Sequence, residues 1–282
     1  MKKYLPIFLI LGLLLASCGR TPAPESPTLD PQIVGTVVAA TMQAMTAAAA
    51  PPTQLLAAGA FQFKNVSLVI PDGLASGATG ETVARVDPTS DSPGWDVAPE
   101  YTLVTLQGYI TGERFHKPQI FVFPTEEYAQ MNDVAAVTMN ELRSLLPGTA
   151  ALPTKLPHLP TFNAAQMFTA KAQLIPFGSG RGVRYVTQYS QAFVPVNNNE
   201  LFYTFQGLTN DGKYYVSVQL PITAAILDGM PAPDVNSPDF TADQWQAYLD
   251  GMTKTINSFG DPFFVPNLEA LDKFIQTITI AP

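Results

Sequence analysis

Residues 201–221 read LFYTFQGLTNDGKYYVSVQLP and close the stretch, 167–221, that decides the fold. Here Leu201, Tyr203 and Phe205 alternate with a second set of side chains, and the same period of two returns from Tyr214 to Leu220. A period of two places alternate side chains on opposite faces of a strand. The stretch therefore predicts four consecutive strands, at about 167–175, 182–190, 201–208 and 214–220.

Clusters of turn-forming residues separate these strands. They are Gly178-Ser179-Gly180, Asn197-Asn198-Asn199 and Asn210-Asp211-Gly212. Such residues tolerate positive φ angles or tight turns and allow the chain to reverse between neighbouring strands. We therefore expect an antiparallel meander.

The remaining periodic segments complete an α+β pattern. Strands are predicted at about 61–70, 81–86, 101–110 and 119–123, and helices at about 125–146, 241–259 and 267–279. Thr125 is expected to cap the first helix, and Thr241 with Gln244 fits a capping box for the second. Residues 61–282 are thus expected to form a single domain, an antiparallel sheet with helices packed on its faces.

The composition excludes some classes of partner. The chain has 282 residues, of which 46% are hydrophobic and 13% charged, and its formal net charge is −8. Without Lys2 and Lys3 there remain 13 basic and 23 acidic residues, a net charge of −10. An acidic domain without a basic cluster argues against nucleic-acid binding and against electrostatic attraction to an anionic membrane.

The amino-terminal segment has the pattern of a leader. Lys2 and Lys3 precede an apolar run over 5–15, which has signal-peptide length and is short for a membrane span. The run ends in Leu15-Ala16-Ser17-Cys18. This tetrapeptide resembles the lipobox of bacterial lipoproteins.

The lipobox resemblance implies a lipid anchor. In that family a diacylglycerol is attached to the cysteine thiol, the leader is cleaved before the cysteine, and its amine can be acylated, for example with palmitate. By this resemblance residues 1–17 are a signal peptide, Cys18 is the lipid attachment site, and the protein lies on the extracytoplasmic face of the cell membrane. An ordinary signal peptide with a chance cysteine is the alternative.

Residues 18–60 are expected to form a stalk. Four prolines lie within 21–31, and Pro51-Pro52 ends a segment at 32–50 that has one apolar side. That segment fits a flexible tether or a loosely docked helix, and a helix that self-associates or lies on the membrane is the alternative.

A second resemblance concerns residues 61–260. The segments 66–71, 182–186, 211–218 and 256–259, in this order of elements, are similar to the PsbP-like family of extracytoplasmic and photosystem accessory domains. The resemblance implies an α/β/α sandwich. It carries over no catalytic residues, because that family has no common set.

The sequence offers few candidates for chemistry. Its two histidines are His116, expected in an exposed turn, and His158, between prolines without an evident partner. With Cys18 assigned to lipid, no zinc site of His and Cys is expected. We find no nucleophile motif either, so the sequence predicts no catalytic residues, metal or cofactor.

Aromatic and apolar residues supply the candidate binding surface. Tyrosines in the meander fit either strand packing or recognition, and the long loops at 74–100 and 221–240 either form a site where they meet the sheet or cover its edges. The candidates are Tyr185, Tyr203, Tyr215, Trp95, Ile226, Leu227 and Met230. We expect a non-catalytic binding or accessory module with an unknown protein or small-molecule partner. A surface hydrolase and a purely structural envelope lipoprotein are the alternatives.

Overall fold

The computed structural model describes residues 59–89 and 93–282. All of them belong to one compact unit, Thr53–Pro282, and the other unit, Met1–Pro52, lies outside the described residues. The expected signal peptide, the lipid attachment at Cys18 and the stalk therefore concern residues that the structure does not describe, apart from the last two stalk positions.

The described residues form fourteen strands and four α-helices. The strands are β1 Ala60–Phe63, β2 Val66–Val69, β3 Gly77–Val83, β4 Tyr101–Gln107, β5 Gln119–Pro124, β6 Ala165–Gln166, β7 Ala170–Phe177, β8 Gly180–Thr187, β9 Tyr189–Ser190, β10 Phe202–Thr209, β11 Tyr214–Pro221, β12 Thr223–Ala224, β13 Phe264–Val265 and β14 Thr279–Ile280. The helices are α1 Thr125–Met131, α2 Asp133–Leu145, α3 Ala242–Ser258 and α4 Leu268–Thr277, and 3₁₀ segments lie at Ala225–Gly229 and Asp261–Phe263.

A seven-stranded sheet organises the domain. Its order is β3-β4-β5-β11-β10-β8-β7, and every neighbouring pair is antiparallel. The predicted α+β class with an antiparallel sheet is confirmed. Strands β7, β8, β10 and β11 are the four strands predicted from the period of two.

Two of the three predicted turns are hairpins. Phe177 pairs with Gly180 across the first, and at the last Gly212 has a φ of 71° and its amide donates to the Thr209 carbonyl at 2.9 Å. Asn197-Asn198-Asn199 is different, because it lies in a longer connection that includes β9. The expectation of a simple hairpin there is wrong.

Helices cover both faces of the sheet. Along β11, Val216 and Val218 belong to the core cluster that contains α3 and α4, whereas Tyr215 belongs to the cluster that contains α1 and α2. The small sheet β1-β2-β14 contributes to the α3 and α4 cluster. Both faces of the sheet are buried, so the side chains on each face of a strand lie in a core.

Two predicted elements are divided in the structure. The strand expected at 61–70 is the hairpin β1–β2, which turns at Lys64, where φ is 50°. The helix expected at 125–146 is broken at Asn132, whose side chain accepts from the Ala135 amide and caps α2. Thr125 does not cap α1, because its hydroxyl donates to the Gly212 carbonyl at 2.6 Å.

The prediction for α3 is confirmed in detail. The Thr241 hydroxyl accepts from the Gln244 amide, and the Gln244 side chain accepts from the Thr241 amide at 2.8 Å. This reciprocal pair satisfies two amides that the first turn of a helix leaves free.

Candidate functional site

Three connections meet at one end of the central sheet. They are residues 108–118 between β4 and β5, residues 191–201 before β10, and residues 222–230 after β11. We call this region the histidine end. The strand registers place it at the end where Gln107 pairs with Gly77 and Phe202 pairs with Pro221.

An asparagine turn holds these connections together. The Phe115 amide donates to the Asn199 carbonyl at 3.1 Å. The Asn198 side chain accepts from the Ala224 amide at 2.7 Å and donates to an Asp228 carboxylate oxygen at 2.8 Å. The turn at 197–199 thereby fixes the connection at 108–118 and the connection at 222–230.

The fixed connections carry exposed apolar side chains. Phe115 is 67% exposed, Ile110 is 51% exposed and Ile226 is 40% exposed. Transfer of large apolar side chains out of water is favourable. Several such side chains exposed on a backbone that hydrogen bonds fix in place are therefore typical of a contact surface.

His116 and His158 belong to one aromatic cluster behind this surface. Their rings are 4.3 and 6.0 Å from the Phe202 ring and 5.3 and 5.0 Å from the Phe162 ring, respectively. His158 also lies 5.1 Å from the Tyr189 ring. Both histidines are buried, at 7% and 6% exposure, so the expectation that His116 is exposed is wrong.

Burial controls the protonation of both imidazoles. It lowers the pKa of His116 from its usual 6.5 to about 4 and that of His158 to about 3. For His158, a bond to the Pro160 carbonyl partly opposes this effect and the neighbouring His116 adds to it. Both rings are therefore neutral at pH 7.

The hydrogen bonds of the pair are incomplete. Nδ1 of His158 lies 3.1 Å from the Pro160 carbonyl oxygen, so in the neutral ring Nδ1 carries the proton and Nε2 the lone pair. Nε2 of His158 and Nε2 of His116 are both buried and have no hydrogen-bond partner among the described residues. Buried polar atoms of this kind are rare in native structures and mark positions of functional interest.

A polar layer of the sheet lies beneath the crossing segment, residues 146–164, which carries His158. The Gln206 side chain accepts from the Leu159 amide at 3.0 Å and from the Tyr215 hydroxyl at 2.7 Å. It donates to Thr204 Oγ1 at 2.8 Å and to Ser217 Oγ at 2.9 Å. Gln206 is thus the centre of a buried network that fixes the crossing segment to the sheet.

A cleft opens beside His116. It has a volume of about 620 Å³ and is bounded by residues of β4 and of the connection at 108–118. Tyr109 and His116 line the cleft. Its charged lining residues are Glu113, Arg114 and Lys117. The cleft brings solvent close to His116.

The three predicted tyrosines do not form a recognition surface. Tyr185, Tyr203 and Tyr215 are fully buried, and this part of the expected binding surface is wrong. Their hydroxyls donate to the Pro157 carbonyl, to Asp272 and to Gln206, respectively. They belong to the core because helices or the crossing segment cover both faces of the sheet.

The long-loop candidates lie at two different ends. Ile226 is exposed at the histidine end, and Leu227 and Met230 are partly buried against the α3 and α4 core. Trp95 is 42% exposed at the opposite end, where Asn132 donates to the Gly94 and Val97 carbonyls. The structure does not bring Trp95 together with the other three, because β3 lies within the loop expected at 74–100 and carries the chain from the histidine end to the opposite end.

The opposite face of the sheet holds a charge network. Nε of Arg184 lies 3.2 Å from Asp272 Oδ1 in an ion pair without hydrogen-bond alignment, and Nη2 lies 3.7 Å from Asp261. Arg184 and Gln173 are further joined at 3.0 Å. This network ties α4 and the 3₁₀ segment Asp261–Phe263 to the sheet, which is a structural role.

The chain matches no protein-family model, no curated protein and no solved structure at a significant level. Within residues 59–89 and 93–282, no group of three or more His, Cys, Asp or Glu side chains is placed to hold a metal ion. In the same part of the chain, no helix is long and apolar enough to cross a membrane.

Proposed function

We propose that the protein is a lipid-anchored extracytoplasmic module that binds a partner through the histidine end of its folded domain. The proposed anchor is Cys18 in the sequence Leu15-Ala16-Ser17-Cys18. We further propose that the domain is a PsbP-like α/β/α sandwich. Helices on both faces of an antiparallel sheet support this proposal.

One observation carries the binding role. Phe115 and Ile226 stay exposed although hydrogen bonds from the Asn198 and Asn199 region fix the backbone on which they lie. A fixed apolar contact residue loses little conformational freedom when it binds, so more of its burial energy is available for affinity. Aromatic residues in such positions are enriched among binding hot spots.

The partner contact is tested by photo-crosslinking in the envelope. A benzophenone side chain at position 115 is expected to give a discrete adduct. The same side chain at position 137, where Val137 is 57% exposed on α2, is the matched control and is expected to give none. Equal adducts at both positions, or none at 115, would contradict the binding role.

The anchor is tested separately. Cys18→Ser removes the thiol that would carry the diacylglycerol, so we expect an unprocessed precursor that incorporates no labelled palmitate. The unchanged chain, labelled in parallel, is expected to mature and to carry the label. If the variant is processed and labelled like the unchanged chain, Cys18 is not the lipid attachment site.

A further inference from the structure

The two histidines of this chain come from separate covering segments and meet at one place. The sequence contains His116 and His158 and no other histidine. His116 belongs to the connection between β4 and β5, and His158 belongs to the crossing segment. Both rings contact Phe162 and Phe202, so each segment rests on the same aromatic cluster.

This cluster accepts neutral imidazoles and disfavours charged ones. Nε2 of each ring is buried without a partner in the described part of the chain, and the ring contacts are with Phe115, Phe162, Tyr189 and Phe202. For His158, whose Nδ1 donates to the Pro160 carbonyl, a proton added to Nε2 would create a buried cation with an unsatisfied donor, and desolvation disfavours that charge.

The surrounding ionisable groups do not compensate such a charge. Glu113, Arg114 and Lys117 line the cleft with His116, and Lys155 lies in the crossing segment. Glu200 precedes β10, and burial raises the pKa of its carboxyl group. Tyr189 from β9 remains neutral because burial raises its pKa. Among the described residues, no carboxylate forms a hydrogen bond or ion pair with either ring.

We propose that His116 and His158 form an acid-sensitive latch that holds the crossing segment on the sheet. In acid, the imidazoles take up protons, the crossing segment separates from β10, and the polar layer around Gln206 becomes accessible while the rest of the sheet stays folded. The proposal rests on contacts within the described domain, and it is independent of the lipid anchor and of the partner.

The crossing segment is suited to open locally. Residues 146–164 contain no helix or strand. Its bonds to the central sheet join the Leu159 amide to Gln206 and the Pro157 carbonyl to the Tyr185 hydroxyl, both at 3.0 Å. Outside that sheet, Gln166 bonds to the backbone of Leu156, and Gln191 donates to the Asn163 carbonyl. Segments held by few hydrogen bonds open at lower free energy than the strands they cover.

The sign of the pH effect follows from the protonation of the two states. In the closed state the pKa of each histidine lies below 6.5, whereas in the open state it returns to its ordinary value, so the open state binds more protons. Below pH 6.5 each histidine therefore favours opening by about tenfold per pH unit, and the two together by about 100-fold per pH unit. The effect of His116 levels off near pH 4 and that of His158 near pH 3.

Hydrogen exchange of the full chain between pH 7 and pH 4.5 tests the latch. Protection factors, which correct for the intrinsic exchange rate at each pH, are measured at the Leu159 and Phe205 amides. Below pH 6.5 the Leu159 value is expected to fall about 100-fold per pH unit, while the amide of Phe205 in β10 keeps its protection.

Matched variants assign the effect to the histidines. His116→Phe keeps an aromatic ring that cannot titrate, and His158→Asn keeps a donor near the Pro160 carbonyl. In each single variant the protection factor at Leu159 is expected to fall by only about tenfold per pH unit. In the double variant this protection factor is expected not to depend on pH. Since the slopes of the single variants suffice, the test does not depend on the folding of the double variant. Slopes unchanged in both single variants, or equal loss of protection at Leu159 and Phe205, would overturn the proposal.

Discussion

Asp272→Ala is expected to lower the free energy of unfolding by about 3–5 kcal/mol, because it leaves a buried guanidinium without its nearest carboxylate. The Arg184 side chain is only 4% exposed, and Asp272 is its closest anion at 3.2 Å. The substitution also removes the acceptor of the Tyr203 hydroxyl, which now bonds to Asp272 at 2.8 Å. Chemical denaturation at pH 7 measures the loss.

Two further variants make this prediction specific. Asp250→Ala, on the exposed side of α3, is the control and is expected to change stability by less than about 0.5 kcal/mol. Arg184→Met combined with Asp272→Leu removes both charges and is expected to recover a large part of the loss. If Asp272→Ala costs less than about 1 kcal/mol, the ion pair does not hold α4 on the sheet in the way described.

The backbone at Lys171 shows what this network constrains. Lys171 has a φ of 55°, a conformation that side-chain-bearing residues rarely adopt, at an irregularity in the pairing of β7 with β8. Its amide donates to Asn257 Oδ1 at 2.6 Å, and its carbonyl accepts from the Arg184 guanidinium. The network therefore joins the end of α3 to an edge strand as well as holding α4.

Gln206→Leu is the second substitution with a large expected effect. Leucine fills a similar volume but leaves the Leu159 amide, the Tyr215 hydroxyl and the Ser217 hydroxyl without this partner. Each buried unsatisfied group costs about 1–3 kcal/mol, so for three groups a total loss of about 3–9 kcal/mol is expected in chemical denaturation.

The control for Gln206 lies on the surface. Gln130 on α1 is exposed and bonds to Glu126, so Gln130→Leu is expected to change stability by less than about 0.5 kcal/mol. A loss for Gln206→Leu as small as that of the control would show that other groups or water satisfy the freed donors.

Local patterns predicted much of the fold. The period of two from 167 to 221 located β7, β8, β10 and β11, and the Thr241 and Gln244 pair located the start of α3. These signals act between residues that are close in sequence, so the sequence expresses them directly. The break at Asn132 was missed because the carbonyls of Gly94 and Val97, distant in sequence, take its side-chain amide.

The candidate site was predictable only in part. Ile226 was predicted as a loop residue of the binding surface, but nothing in the sequence showed that the turn at 197–199 bonds to the two connections that carry Phe115 and Ile226. For the tyrosines, the recognition role is wrong and the alternative, strand packing, is confirmed. The sequence did not separate the two because one buried face carries polar side chains such as Gln206 and Ser217, so these strands alternate like strands with one face in water. The meeting of His116 with His158 depends on the crossing segment folding over β10, which no local pattern encodes.

The pairing of β14 with β2 has a consequence for how the domain is assembled. Thr279 pairs with Ser67, Ile280 pairs with Val66, and the Ala281 amide donates to the Asn65 carbonyl at 2.8 Å. The small sheet that completes one core thus joins positions more than 200 residues apart in sequence. During synthesis this closure must wait until residues 279–281 have been made, so a nascent chain that stops before them keeps an open core and remains accessible to chaperones and proteases.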